Sequence, residues 1–118
     1  MEALDQIAEA ALARDALRLR ALVQEFLRAN PSLQATPPPR SDDPRRRAVA
    51  ASLVELLAQR ANQAPPAWAS GVPSLPEPFF LVEAASRMRH LRSLCLAESP
   101  EPLRKRGLLA PPNFLAFA

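Results

Sequence analysis

Tyrosine is absent from this 118-residue chain, and cysteine, histidine, tryptophan and lysine each occur once. A single cysteine excludes an internal disulfide and fits a reducing, cytoplasmic setting. One histidine and one cysteine cannot build a zinc site within one chain, so no metal is expected. The two glycines, Gly71 and Gly107, stand alone, which removes a glycine-rich phosphate cradle and with it a nucleotide cofactor. No run of 18 apolar residues occurs, and the amino-terminal MEALDQIAEA is acidic and amphipathic, so neither a membrane span nor a signal peptide is expected. Alternating apolar and polar residues are missing except for two or three positions near Leu108.

Catalytic groupings are missing too. Asp42 and Asp43 read as a helix cap, and Glu98 and Glu101 flank a helix start; neither pair resembles two carboxylates in an apolar cleft. His90 falls on the polar side of its expected helix and reads as solvated. Cys95 falls on the apolar side and reads as a small buried hydrophobe. The expectation is a chain that is not an enzyme, with no catalytic, cofactor-binding or metal-binding residues.

What is present is proline, 14 residues of it, and arginine, which supplies all but one of the 15 basic side chains. The formal charge of +3 is spread thinly. Residues 1–30 are slightly acidic and the rest slightly basic, well short of a nucleic-acid-binding stripe. A chain of this length makes one domain and buries about two-thirds of its unfolded surface.

Hydrophobic spacing predicts an all-α, single-domain helical bundle of three to five helices. Residues 2–29 carry Leu4, Ala8, Leu12, Ala16, Leu19, Val23 and Phe26 at three- and four-residue intervals. Asp15 interrupts that stripe: either it caps a second helix starting at Ala16 or it pairs with Arg18, and one helix with a break at Arg14–Asp15 is the favoured reading. Residues 31–43, with three consecutive prolines, form a stiff linker; the PPPR run is either a plain spacer or a ligand for an aromatic groove.

Asp43-Pro44 begins a helix over residues 43–62, with Val49, Leu53, Leu56 and Leu57 on its apolar face. Its first turn holds Arg45, Arg46 and Arg47, at the end of the dipole that repels cations. Those arginines are either a solvated charge run or a site for an anion or acidic partner.

Residues 63–78 form a second proline-punctuated connection around Trp68, which is either a lid on the core or a binding anchor. Residues 79–97 are expected to form the helix on which the others lie, burying Phe80, Leu81, Ala84, Met88, Leu91, Leu94 and Cys95. Ser99-Pro100 starts a short helix over 100–106, with Arg104, Lys105 and Arg106 in its last turn and Gly107 as its stop. The tail over 108–118 is too apolar to hang free: it folds back on the core or forms a patch for a partner.

The segments PPAWASGVPSLPEPFFLVEA and LRSLCLAESPEPLRKRGLLAPPNFLAFA carry a recognisable pattern. A tryptophan follows prolines, then come an E/L-P-x-P-aromatic step, a leucine-rich helix, S-P-x-x-L/F-R-x-R and an apolar N-F-L ending. This pattern, over residues 64–118, resembles small bacterial helical proteins similar to antitoxins encoded beside nucleotidyltransferase-fold toxins. The resemblance implies a non-enzymatic interaction protein that binds and neutralises a cognate toxin. The surface expected for that role comprises Trp68, Arg104, Lys105, Arg106, Phe114 and Phe117. Two other readings stand beside it. One is a DNA-binding regulator using Arg87, Arg89 and Arg92 with the 104–106 cluster. The other is a structural homo-oligomer, such as a homodimer, packed through alanine-rich helix faces.

Overall fold

The computed structural model describes residues 3–116. Five α-helices run in order: α1 (Ala3–Leu12), α2 (Ala16–Ala29), α3 (Pro44–Arg60), α4 (Arg89–Glu98) and α5 (Glu101–Arg104). Short 3-10 turns occupy Leu33–Ala35, Ala67–Gly71 and Glu83–Ser86. A two-residue parallel pairing joins β1 (Phe79–Phe80) to β2 (Leu108–Leu109), with Phe79 opposite Leu108.

The chain is organised around α3. Asp43 caps it by accepting from the Arg46 amide, and Pro44 opens its first turn. Every residue from Ala48 to Ala58 is buried, Ser52 and Glu55 included. Alanines at 48, 50, 51 and 58 let other elements approach on several sides at once, so the helix is enclosed rather than resting on one face. α1, α5, the Trp68 turn and the Leu33 turn all pack against it. The radius of gyration, 13.1 Å, matches the roughly 13.5 Å expected of one packed unit of this length.

The break expected at Arg14–Asp15 is present. Of the two readings of Asp15, the chain takes the cap of a second helix starting at Ala16, so two helices stand where one broken helix over 2–29 was favoured. Arg14 adopts a left-handed conformation (φ 57°) and the chain turns there. Asp15 then caps α2 through the Arg18 amide. Breaking the helix lets α1 and α2 pack on each other as well as α1 on α3, which a straight rod could not do. On α1, Asp5 is buried and accepts from the amides of Arg40 and Ser41, pinning the proline linker to the core.

The helix expected over 79–97 also differs. Residues 79–80 are extended, 83–86 form a 3-10 turn, and α4 begins only at Arg89. Phe79 takes a hydrogen bond to Gly107 and Leu81 one to Leu109, so this stretch satisfies its backbone against the returning tail. Of the seven residues expected to be buried on that face, only Leu81 and Cys95 are; Met88 is 56% exposed. The organising surface is therefore α3, and this segment is one of the layers laid on it.

Ser99 does not cap α5. Its hydroxyl accepts from the Ala110 amide and faces the Cys95 and Ala110 carbonyls, clipping the tail to the end of α4. Gly107 has φ +80°, the left-handed conformation in which a side chain is strained, and it turns the chain from α5 into β2. The tail folds back: Leu108, Ala110 and Leu115 belong to the core.

A candidate interaction surface

Three of the six residues expected to meet a partner are held by the fold itself. Arg106 is 2% exposed. Its guanidinium donates to the carbonyls of Val72, Ala69 and Pro102 and to Glu55, whose Oε1 lies 2.5 Å from Nη1. Ser52 Oγ lies 3.4 Å from the same nitrogen. Burial acts to raise the Glu55 carboxyl, but hydrogen bonds and charge from Arg106 and Lys105 outweigh it and hold the group below its usual range. Arg106 is thus a buried clamp joining α3, the Trp68 turn and α5, not a surface cation. Lys105, part-exposed, bridges the same carboxylate at 3.1 Å.

Trp68 is half-buried against the core, and its indole N–H donates to the Thr36 carbonyl at 2.8 Å. It ties the two proline-rich linkers together and has the lid geometry. Phe114 is likewise half-buried against the core, and its carbonyl accepts from Arg60. Phe117 lies outside the described residues. Arg104 is exposed, with Nη1 3.4 Å from the Ala97 carbonyl.

Arg87, Arg89 and Arg92 are exposed, and among the described residues only the Arg92 side chain is engaged, its guanidinium lying 5.1 Å from the centroid of the Phe80 ring. Arg14 and Arg45 lie over the Phe79 ring at 4.6 and 5.0 Å. The arginine run at the start of α3 is also partly bound within the fold: Arg46 reaches Glu9 at 3.8 Å, and Arg47 lies 3.4 Å from the Ser41 carbonyl.

The surface that the packing leaves open is α4 and the stretch before it. Its main packing partner is the Glu83–Ser86 turn, and Cys95 is its one buried residue. Burial pushes the Cys95 thiol up, which fits the inert reading of this residue. Among the described residues the large exposed apolar side chains are Leu17, Met88, Leu94 and Leu96, at 84, 56, 36 and 54%. Three of these four lie on α4 or at its cap.

Beside this stretch runs a groove of about 530 Å³. Ala16 and Leu19 of α2, residues 81–84, and residues 111 and 113–115 of the tail line it, with Arg14 and Arg87 at its edges. Sequence periodicity missed the groove because the tail that forms one wall has no repeat of its own. The exposure of Met88 and Leu94 was missed because apolar spacing alone assigns such residues to the core.

No cluster of metal-ligating side chains exists among the described residues, and no helix of the described chain is long and apolar enough to cross a membrane. No family model, curated protein or solved structure matches the chain.

Proposed function

We propose that this chain is a non-enzymatic binding protein that works by covering a partner protein, with α4 and the segment leading into it as the contact surface. The observation that carries the reading is that three of the four large exposed apolar side chains among the described residues, Met88, Leu94 and Leu96, lie on one short, thinly packed helix or at its cap, flanking the buried Cys95. Apolar side chains left in water close together on a fold mark an interaction site. The resemblance over residues 64–118 makes the partner a nucleotidyltransferase-fold toxin encoded beside it, and the chain its neutralising antitoxin. Arg106 and Trp68 belong to the scaffold, and the α4 surface is the contact face instead.

Co-expression with the product of the adjacent gene, followed by affinity purification of the tagged chain, tests this. The two proteins co-purify, and Leu94→Glu with Leu96→Glu abolishes the complex while the helical circular dichroism persists. Failure of the wild-type chain to hold that product sinks the reading. A homodimer through the same helix gives a doubled mass by light scattering instead.

The exposure of Arg87 and Arg89, with Arg92 on the same stretch, supports a second reading, DNA binding. Binding to promoter DNA then weakens steeply with salt. Loss of Arg106 to the interior leaves fewer cations for that role than the sequence suggested.

A further inference from the structure

Arg14 reaches the groove with its orientation set. Its Nε donates to the Phe80 carbonyl at 2.9 Å, and its guanidinium carbon lies 4.6 Å from the centroid of the Phe79 ring. Its two terminal nitrogens have no acceptor among the described residues. Arg87 stands on the same groove, exposed and with no ion pair among those residues. Glu83, one helical turn before Arg87, also lines the groove, yet makes no bridge with either arginine. Two guanidiniums without an ion pair among the described residues, against one carboxylate, leave the edge positive. The floor, with Leu19, Leu81 and Leu115, is apolar. A volume near 530 Å³ falls within the range of roughly 300–1,000 Å³ typical of ligand clefts.

From this juxtaposition we infer that the groove receives an acidic-apolar peptide segment of the partner protein, its bulky apolar side chains on the Leu19–Leu81–Leu115 floor and a carboxylate between Arg14 and Arg87. Guanidinium fixed by stacking and by one backbone bond loses little freedom on pairing with a carboxylate, which favours a charge-assisted fork over a merely solvated cation. A floor of three leucines beside a positive edge is complementary to a segment that carries apolar and acidic side chains together. The inference rests on the binding-protein reading and names what part of the partner the groove takes.

Two synthetic probes test it: N-acetyl-Leu-Phe-Glu-Leu-amide and the same peptide with glutamine for glutamate. In nitrogen-15 NMR titrations the acidic peptide shifts the amides of residues 81–87 and 113–115. It binds about fivefold more tightly than its neutral counterpart, the scale of one partly exposed ion pair. Arg14→Gln with Arg87→Gln erases that preference. Arg87→Gln alone reduces it, which keeps the test decisive if losing the Arg14 bonds weakens the fold.

Equal affinity for the two peptides, or shifts confined to other surfaces, overturns the inference. So does perturbation of the groove by decanoate and by neither peptide. Capture of the partner that is lost in the Leu94/Leu96 variant and unchanged in the Arg14/Arg87 variant overturns the groove assignment and leaves the binding-protein reading intact. Absence of any capture overturns that reading, and the peptide titration then decides the groove by itself.

Discussion

Arg106 Nη1 lies 2.5 Å from Glu55 Oε1, in a site where the arginine is 2% and the glutamate 8% exposed. The two residues are 51 positions apart, and with the carbonyls of Ala69, Val72 and Pro102 they join α3, the Trp68 turn and α5. The pair holds the carboxy-terminal layer, and hence α4 and the groove, on the central helix.

Arg106→Met should destabilise the fold by about 3–5 kcal/mol, because it leaves the Glu55 charge buried with only Lys105 beside it and takes the arginine donor from the Val72 and Pro102 carbonyls. Urea unfolding followed by circular dichroism measures this. Changing Glu55 to Met in the same chain should recover part of the loss, since the orphaned charge goes with it. A double variant worse than the single by the full cost of a second independent change would mean that the pair is not coupled.

Acid should weaken the fold through Glu55. Its folded carboxyl ionises below the ordinary value of 4.5, so the ionised form adds stability above that value. The contribution is lost as pH falls through the lowered folded value. Comparing thermal midpoints at pH 7 and pH 3, Glu55→Gln should start lower than wild type and lose less on acidification. An identical acid slope in both proteins contradicts the assignment.

Leu53 and Leu91 should respond differently to truncation. Leu53, on α3, is fully buried, and Leu53→Ala should cost about 2–5 kcal/mol. Leu91, on α4, is only half-buried, so Leu91→Ala should cost about 1 kcal/mol, the part of its transfer energy that burial supplies. Equal losses in two-state unfolding would place α4 in the core after all.

Asp15→Ala removes the side chain that caps α2 through the Arg18 amide. It should cost about 1 kcal/mol, read as a lowered urea midpoint at unchanged slope. Asp15→Ser should restore most of it, because serine caps by the same bond. A neutral Asp15→Ala would show that the turn at Arg14 is held by packing alone.

Much of this was legible in the residues. The 3.6-residue spacing announces helix over 2–29 and 43–62, where α1, α2 and α3 form, the aspartate-proline pair marks where α3 begins, and Gly107 marks where the chain turns back. Asp15 was recognisable as an interruption, but not which of its two options the chain takes, since a capped break and a paired charge share one local pattern. The 79–97 stretch misled for a physical reason. Its apolar intervals suit a helix, yet pairing of Phe79–Phe80 with Leu108–Leu109 satisfies the backbone another way, and that partner lies 29 residues downstream. For the candidate surface, the sequence pointed to the carboxy-terminal half alone and placed Arg106 outside, because three adjacent cations look alike until burial separates them.

Local chemistry therefore determined the helical class, the proline-rich connections, the capped start of α3 and the turn at Gly107, because caps, periodicity and backbone restriction act over a few residues. Which helix lies at the centre, which arginine is buried and which leucines are left in water was decided only in three dimensions. Those outcomes depend on which distant segments pack over a position: the middle of α3, from Ala48 to Ala58, is covered on every side, and α4 is reached by too little of the chain to cover it.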